Sequence, residues 1–180
     1  RTNGAWQCPV ILMVTCGGYK PGLGPFHAQT MDGFSAHIPG IDVVMPSSAA
    51  DAAGLLNAAF DSPRPTIFLY PKSCLNLSDR TTSADVTQQF VLIGRPLRLR
   101  CGKDLTLITW GNPVSQCVAA ANVLAENSFS VDLFDLRSLS PWEEDVIVAS
   151  AERTGRLVVV HEDNQTCGFG AEVLATVGER

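Results

Sequence analysis

Pro9-Val10-Ile11-Leu12-Met13-Val14-Thr15 runs straight into Cys16-Gly17-Gly18-Tyr19-Lys20-Pro21-Gly22-Leu23-Gly24-Pro25-Phe26-His27, and this stretch decides the fold. Its first half is a nearly unbroken apolar run, the pattern of a parallel strand covered on both faces. Ile41–Met45 and Thr66–Tyr70 repeat that pattern. Between them, Ala52, Leu55, Leu56, Ala59 and Phe60 recur at helical spacing, which predicts a helix over Ser48–Asp61. Ser48 with Asp51 three residues on resembles a capping box at its start. The order is strand, glycine loop, short helix over Thr30–His37, strand, helix, strand. That alternation means an α/β layer structure with a mainly parallel sheet.

Pro71–Gln88 breaks the rhythm, being aperiodic and rich in Ser, Thr and Asp, and reads as a linker. Gln89–Arg100 alternates poorly and reads as an edge strand. The α/β pattern then resumes with a strand at Leu105–Trp110, and Asn112-Pro113 supplies the cap and first residue of a helix over Val114–Glu126. Ser130–Leu136 is the next strand. Ser140-Pro141-Trp142-Glu143 predicts a helix start, with a capping box and proline at the first helical position. Gly155 ends that helix before a strand at Leu157–His161, and Cys167-Gly168-Phe169-Gly170 opens a last helix. Two α/β units are expected, 1–75 and 105–180, joined by a linker over 76–104. The first strand has no earlier element to pair with and the last helix no strand after it, so the chain is expected to be a fragment of a longer subunit.

Composition narrows the function classes. The 180 residues are 46% hydrophobic and 17% charged, with 13 basic and 18 acidic side chains and a net charge of −5. Charge is below the roughly 25% of an average soluble domain, and the aliphatic content excludes intrinsic disorder. No Lys/Arg cluster could neutralise a run of phosphates, which argues against a nucleic-acid partner. The longest apolar run, Pro9–Val14, is far short of the ~20 residues of a membrane span, and Arg1–Gln7 shows no secretory pattern. The expectation is a soluble protein retained in its compartment. Cys8, Cys16, Cys74, Cys101, Cys117 and Cys167 form no C-x-x-C pair and have no His at zinc spacing. They are read as free thiols in a reducing compartment, with Cys8, Cys16 and Cys117 as small core residues.

The glycine loop follows a buried-type strand and so lies at the carboxyl end of a parallel sheet, where such folds place ligands. Four glycines let a flat ligand approach the backbone. His27 closes the loop; an imidazole can give and take a proton near neutral pH, which suits carbanion or alkoxide chemistry, although it could equally cap a turn. His37 reads as a structural histidine, and His161 as one held by a nearby carboxylate at a strand end. Glu162 and Asp163 read as solvated, and Glu143 and Glu144 as favourable charges at a helix N-terminus. The chain has no nucleotide P-loop, no complete dinucleotide fingerprint and no nucleophile elbow.

Together, Gly24-Pro25-Phe26-His27-Ala28-Gln29, Phe34-Ser35-Ala36-His37-Ile38-Pro39-Gly40-Ile41-Asp42-Val43-Val44-Met45-Pro46-Ser47 and Asp51-Ala52-Ala53-Gly54-Leu55-Leu56 resemble the beta subunit of 2-oxoacid dehydrogenases. These are the thiamine-diphosphate-dependent decarboxylating components of the pyruvate and branched-chain complexes. Leu105–Gly111, Asp135-Leu136-Arg137-Ser138-Leu139-Ser140-Pro141-Trp142 and Thr154–Glu162 extend the resemblance to the second unit. It implies that 1–75 is the second part of a transketolase-like pyrimidine-binding domain and 105–180 a truncated transketolase C-terminal domain. It implies thiamine diphosphate as cofactor, with its diphosphate and Mg2+ held by an alpha subunit or fused alpha region. His27 aligns with the active-site histidine facing the thiazolium, and Phe26 and His27 with the cofactor-contacting surface. A monovalent cation such as K+ is implied at Ala59, Phe60, Ser62 and Arg64 through backbone oxygens, although Ser62 stands where the family usually has Asp.

The further partners implied are a second beta subunit and a lipoyl acyltransferase core, with no nucleic acid and no membrane. The location implied is cytoplasmic, or the mitochondrial matrix in a eukaryote. The family's activating glutamate lies upstream, so this stretch alone is expected to be inactive. Two alternatives stand beside this reading. One is ketol transfer of the transketolase or deoxyxylulose-phosphate synthase type, for which Arg64, Lys72 and Arg137 are the available phosphate ligands. The other is a non-catalytic α/β module that binds a ligand or a partner.

Overall fold

The computed structural model describes residues 5–75, 77 and 81–180. Linker residues 76 and 78–80, and residues 1–4 of the first unit, lie outside the described set. The first unit contains β1 (Ile11–Cys16), α1 (Gly24–Ala28), α2 (Asp32–Ala36), β2 (Asp42–Val44), α3 (Ala49–Asp61) and β3 (Thr66–Pro71). Two short 3-10 turns, Lys72–Cys74 and Val86–Gln88, lead to β4 (Leu97–Arg100). Then come β5 (Leu105–Thr109), α4 (Val114–Glu126), β6 (Val131–Asp135), β7 (Ser138–Ser140), α5 (Glu144–Thr154), β8 (Leu157–Val160) and α6 (Phe169–Glu179).

Among the described residues there are two four-stranded, mainly parallel sheets, in the orders β1-β3-β2-β7 and β4-β6-β5-β8. The fold is α/β. β4 adds antiparallel to β6, so residues assigned to the linker supply an edge strand of the second sheet. Its hold on the sheet is partly ionic: the Arg98 Nε–H donates to the fully buried Asp132 at 2.6 Å. Local signals formed as the chemistry dictates. Ser48 Oγ accepts the Asp51 N–H at 3.1 Å and donates to Asp51 Oδ2 at 2.6 Å, capping α3. Gly155 closes α5, its N–H reaching the Ala151 carbonyl at 2.8 Å.

Three readings need correction. Ser140-Pro141-Trp142-Glu143 does not begin a helix. Ser138–Ser140 instead pairs antiparallel with β2 in the first sheet, and α5 starts at Glu144. Tertiary pairing overrode a local cap signal. β1 is not covered on both faces: it is an edge strand, with Leu12 and Met13 51% and 55% exposed. Thr30–His37 is shorter than expected, with only Asp32–Ala36 helical, while Gly24–Ala28 forms a separate turn of helix inside the glycine loop.

The two units share one core. Val43, Met45, Ile67 and Leu69 of the first pack in the same cluster as Ile108, Trp110, Phe134, Leu136, Leu139, Ile147 and Phe169 of the second. A polar seam borders it. Ser47 Oγ donates to Asp135 Oδ2 at 2.5 Å, Arg137 Nη1 donates to Asp51 Oδ1 at 2.8 Å, and the Met45 N–H donates to the Arg137 carbonyl at 2.8 Å. The Asp135-Leu136-Arg137-Ser138-Leu139 string is therefore the stitch between units. Arg137, offered from sequence as a phosphate ligand for ketol transfer, is buried there.

Candidate functional site

β1 delivers the chain to the carboxyl end of its sheet at Cys16. Gly17 turns it away with φ +72°, a left-handed conformation that disfavours side chains. The loop returns when the Gly17 N–H donates to the Gln29 carbonyl at 3.2 Å. Within it, α1 carries Phe26, 91% exposed, and His27, also exposed, at its last turn. Lys72, from the turn after β3, donates Nζ to the His27 carbonyl and lies 5.9 Å from the Tyr19 ring centre. The histidine is thus open to its surroundings while its backbone is tied to the sheet.

The second unit completes the floor through the segment after β8. The Glu162 carboxylate lies against Gly17: a Cβ there would stand 2.8 Å from Oε2. The Asp163 charge bears on Asp32. His161 stacks on Trp110, with ring centres 5.4 Å apart and an interplanar angle of 19°, and Trp110 meets Phe169 edge-on. Burial pushes the His161 pKa down, opposed by the Asp163 charge, and its Nδ1 is buried without a hydrogen bond. An aromatic stack, not a carboxylate hydrogen bond, holds this histidine. Glu162 and Asp163 are half-buried against the first unit, not solvated as expected from sequence.

A cleft of about 460 Å3 opens beside α1, with Pro25, Ala28, Gln29, Thr30, Glu162 and Asp163 on its walls. A second, of about 450 Å3, lies on the other side of Thr30, bordered by Phe34, His37 and Asp163. Beneath them, burial and a hydrogen bond shared with Asp163 push the Asp32 pKa up to about 7, opposed by the Trp110 N–H. Burial first, and then the charges of Glu162 and Asp32, push the Cys16 thiol up to about 12. Asp32 is the functional candidate that sequence reasoning missed. In Met31-Asp32-Gly33 it looks like any acidic residue at a helix start, and no local signal could have singled it out.

The structure does not bring the other candidates to this place. Ala59 and Phe60 lie in the last turn of α3, and Ser62 and Arg64 in the connection to β3, whereas Cys16 pairs with Pro71 at the far end of β3. Six residues of strand, roughly 20 Å, separate the two regions. The Ala59 carbonyl there accepts the Ser62 N–H at 3.3 Å, and Arg64 Nε donates to Asp42 at 2.7 Å. Among the described residues no group of three or more His, Cys, Asp and Glu is placed to hold a metal. His37 ends α2 through its backbone N–H and leaves its side chain exposed. Glu144 and Asp145 stand in the first turn of α5, as charge at a helix N-terminus favours.

Family models for the transketolase pyrimidine-binding domain and the transketolase C-terminal domain match residues 1–78 and 94–180. The chain belongs to the transketolase-like family. Its relatives include the mitochondrial 2-oxoisovalerate dehydrogenase subunit beta of Dictyostelium discoideum, 33% identical over 100% of this chain and 48% of that one. The pyruvate dehydrogenase E1 component subunit beta of Bacillus subtilis is 36% identical over 100% of this chain and 54% of that one. The chain thus spans about half the length of these curated relatives. A solved structure described as a split gene transketolase, inactive beta4 tetramer, shares the fold with a TM-score of 0.81, at 23% identity over 97% of this chain and 55% of its own. No helix among the described residues is long and apolar enough to cross a membrane.

Proposed function

We propose that this transketolase-like chain is part of a thiamine-diphosphate-dependent 2-oxoacid dehydrogenase beta subunit, and that His27 is its catalytic residue. The observation that carries the proposal is the exposed His27 at the carboxyl end of a parallel sheet, beside a cleft, within a chain alike over both lobes to named beta subunits. The loop suits a flat, partly apolar group. At Gly22 and Gly24 an added Cβ would meet nothing within 4 Å, and Phe26 offers an uncovered aromatic face. When bound, thiamine diphosphate supplies the electron sink for the pair left by loss of CO2.

The chain's own part is positional and protolytic. Phe26 and His27 form the cofactor-facing surface, and the His27 imidazole moves a proton to or from the reacting 2-oxoacid carbon substituents and the acyl acceptor. Lys72 fixes the His27 backbone, and Glu162 backs the turn at Gly17. In this reading an alpha subunit or fused alpha region holds the diphosphate and Mg2+. A second beta subunit and a lipoyl acyltransferase core are the other partners. A monovalent cation such as K+ would be held by backbone oxygens of Ala59, Phe60, Ser62 and Arg64, and the location is the cytoplasm, or the mitochondrial matrix in a eukaryote.

Ketol transfer between sugar phosphates is the second reading, and the basic residues weigh against it. Arg137 is buried on Asp51 and Arg64 is paired with Asp42, which leaves Lys72 alone of the three candidates near the loop. The test is His27→Ala in the full-length chain assembled with its alpha partner. Reductive acylation of a lipoyl acceptor by pyruvate and by branched 2-oxoacids should fall about 10²-fold or more, the usual contribution of a positioned acid–base group, with unfolding unchanged. Wild-type turnover would remove His27 from the chemistry. Turnover of a ketose phosphate alone would replace the reading with ketol transfer.

A further inference from the structure

The short helix that carries His27 has little to hold it in place. None of the five residues of α1 is buried, and no side chain caps its start at Leu23. Gly22 and Gly24, just before and at that start, have φ of +85° and +67°, and an added Cβ at either would meet nothing within 4 Å. The chain enters α1 through two unpacked pivots. An element with so few apolar contacts belongs to the least stable part of a fold.

Two bonds tie its carboxyl end to the body of the protein. The Gly17 N–H donates to the Gln29 carbonyl at 3.2 Å, just beyond α1. Lys72 Nζ donates to the carbonyl of His27 itself. That oxygen is one of the acceptors a helix leaves unpaired in its last turn, and a charged donor makes a bond roughly twice as strong as a neutral one. Lys72 makes no ion pair among the described residues, so no carboxylate competes for its charge. The same ammonium lies 5.9 Å from the centre of the Tyr19 ring, so it meets both limbs of the glycine loop. Lys72 is itself well fixed. It follows Pro71, the residue paired with Cys16 where β1 and β3 end.

We propose that Lys72 is a positioning residue, a latch whose ammonium holds α1 against the end of the first sheet and so sets the place of the His27 imidazole during turnover. Unlatched, α1 swings on Gly22 and Gly24, and His27 is presented over a range of positions instead of one. The consequence for turnover rests on the reading of His27 as catalytic; the latch does not.

The experiment uses the full-length chain assembled with its alpha partner, comparing wild type with Lys72→Met, Lys72→Arg and Lys20→Met. Lys20 is the control: its ammonium also lies close to the Tyr19 ring, 5.4 Å from the centre, but makes no bond to α1 among the described residues. Amide hydrogen exchange reads the latch. The Gly17 amide should exchange about tenfold or more faster in Lys72→Met, as loss of one bond from a charged donor implies. Kinetics read the consequence. In Lys72→Met, kcat for reductive acylation should fall by about 10-fold to 10²-fold, the cost of a displaced catalytic group, with KM for the 2-oxoacid and the unfolding midpoint unchanged. Lys72→Arg, which keeps a charged donor, should restore most of both readouts, and Lys20→Met should alter neither. Unchanged exchange in Lys72→Met overturns the latch. Faster exchange at full kcat overturns the positioning role, as does a raised KM at full kcat, which would make Lys72 a substrate ligand. An equal loss in Lys20→Met would trace the effect to charge instead of the bond and overturn it too. If Lys72→Met does not fold, Lys72→Gln, polar but one bond too short for the carbonyl, takes its place with the same expectations. If the assembly turns over no 2-oxoacid, the functional reading fails, and hydrogen exchange still decides the latch.

Discussion

Replacing Arg137 by alanine removes the ion pair that crosses from the second unit to the first. The Arg137 and Asp51 side chains are only 10% and 11% exposed, so water cannot take over the lost contact. Nη1 donates to Asp51 at 2.8 Å and Nη2 to the Arg95 carbonyl at 2.9 Å. Orphaning one member of a buried pair costs about 3–5 kcal/mol. Asp51 keeps two mitigating contacts, the 2.6 Å bond from Ser48 Oγ and a place in the first turn of α3. Those favour the lower end, about 3 kcal/mol. At ~2–4 °C per kcal/mol for a chain of this size, the midpoint should fall by about 6–12 °C. A second variant separates pairing from backbone. Arg137 sits at φ +58°, where an L-residue pays roughly 1–2 kcal/mol that alanine also pays and glycine does not. Arg137→Gly should therefore be about 1 kcal/mol more stable than Arg137→Ala. Urea unfolding of the full-length chain, followed by circular dichroism, measures both. An alanine variant within 1 kcal/mol of wild type, or a glycine variant below the alanine one, would refute the account.

Two further outcomes follow from burial. Burial pushes the fully buried Asp135 up to about 7 against the donation from Ser47, well above the ordinary carboxylate value, so the folded chain binds more protons than the unfolded one between about pH 4 and 7. Stability from this group is fully present below pH 4, falls by at most ~1.4 kcal/mol per pH unit towards 7, and is flat above. Asp135→Asn should erase that slope relative to wild type in denaturant titrations at several pH values; parallel curves would contradict it. Thiol labelling of the native protein near pH 8 should modify the exposed Cys101 and Cys167 first, and Cys16 and Cys117, both pushed up by burial, only on unfolding. Native-state labelling of Cys16 as fast as Cys101 would show the β1 end to be open.

What the sequence disclosed was local. The Ser48–Asp51 cap, the glycine loop, the strand over Leu105–Thr109 and the stop at Gly155 each depend on neighbours a few residues away, and each formed. The errors were non-local. Ser140-Pro141 carries a good helix-start signal, but β2 lies some 95 residues earlier and offers a better partner. Glu162 and Asp163 look like any charged pair after a strand until the fold sets them against Gly17 and Asp32. The place of His27 was legible because its loop announces a sheet's carboxyl end, whereas the burial of Asp32 became visible only with its contact to Trp110, 78 residues away.

β7 bears on the order in which this chain can mature during synthesis. Its strand closes a sheet whose other strands come from the first unit, yet Ser138 leaves the ribosome long after its partner Val43. Until then the nascent first lobe exposes one flank of β2 and the apolar residues that Leu136 and Leu139 later cover. Contacts at such separation form late and slowly. The waiting period is therefore the window in which a chaperone would find most to hold, and in which a stop codon anywhere between the lobes would leave an open sheet behind.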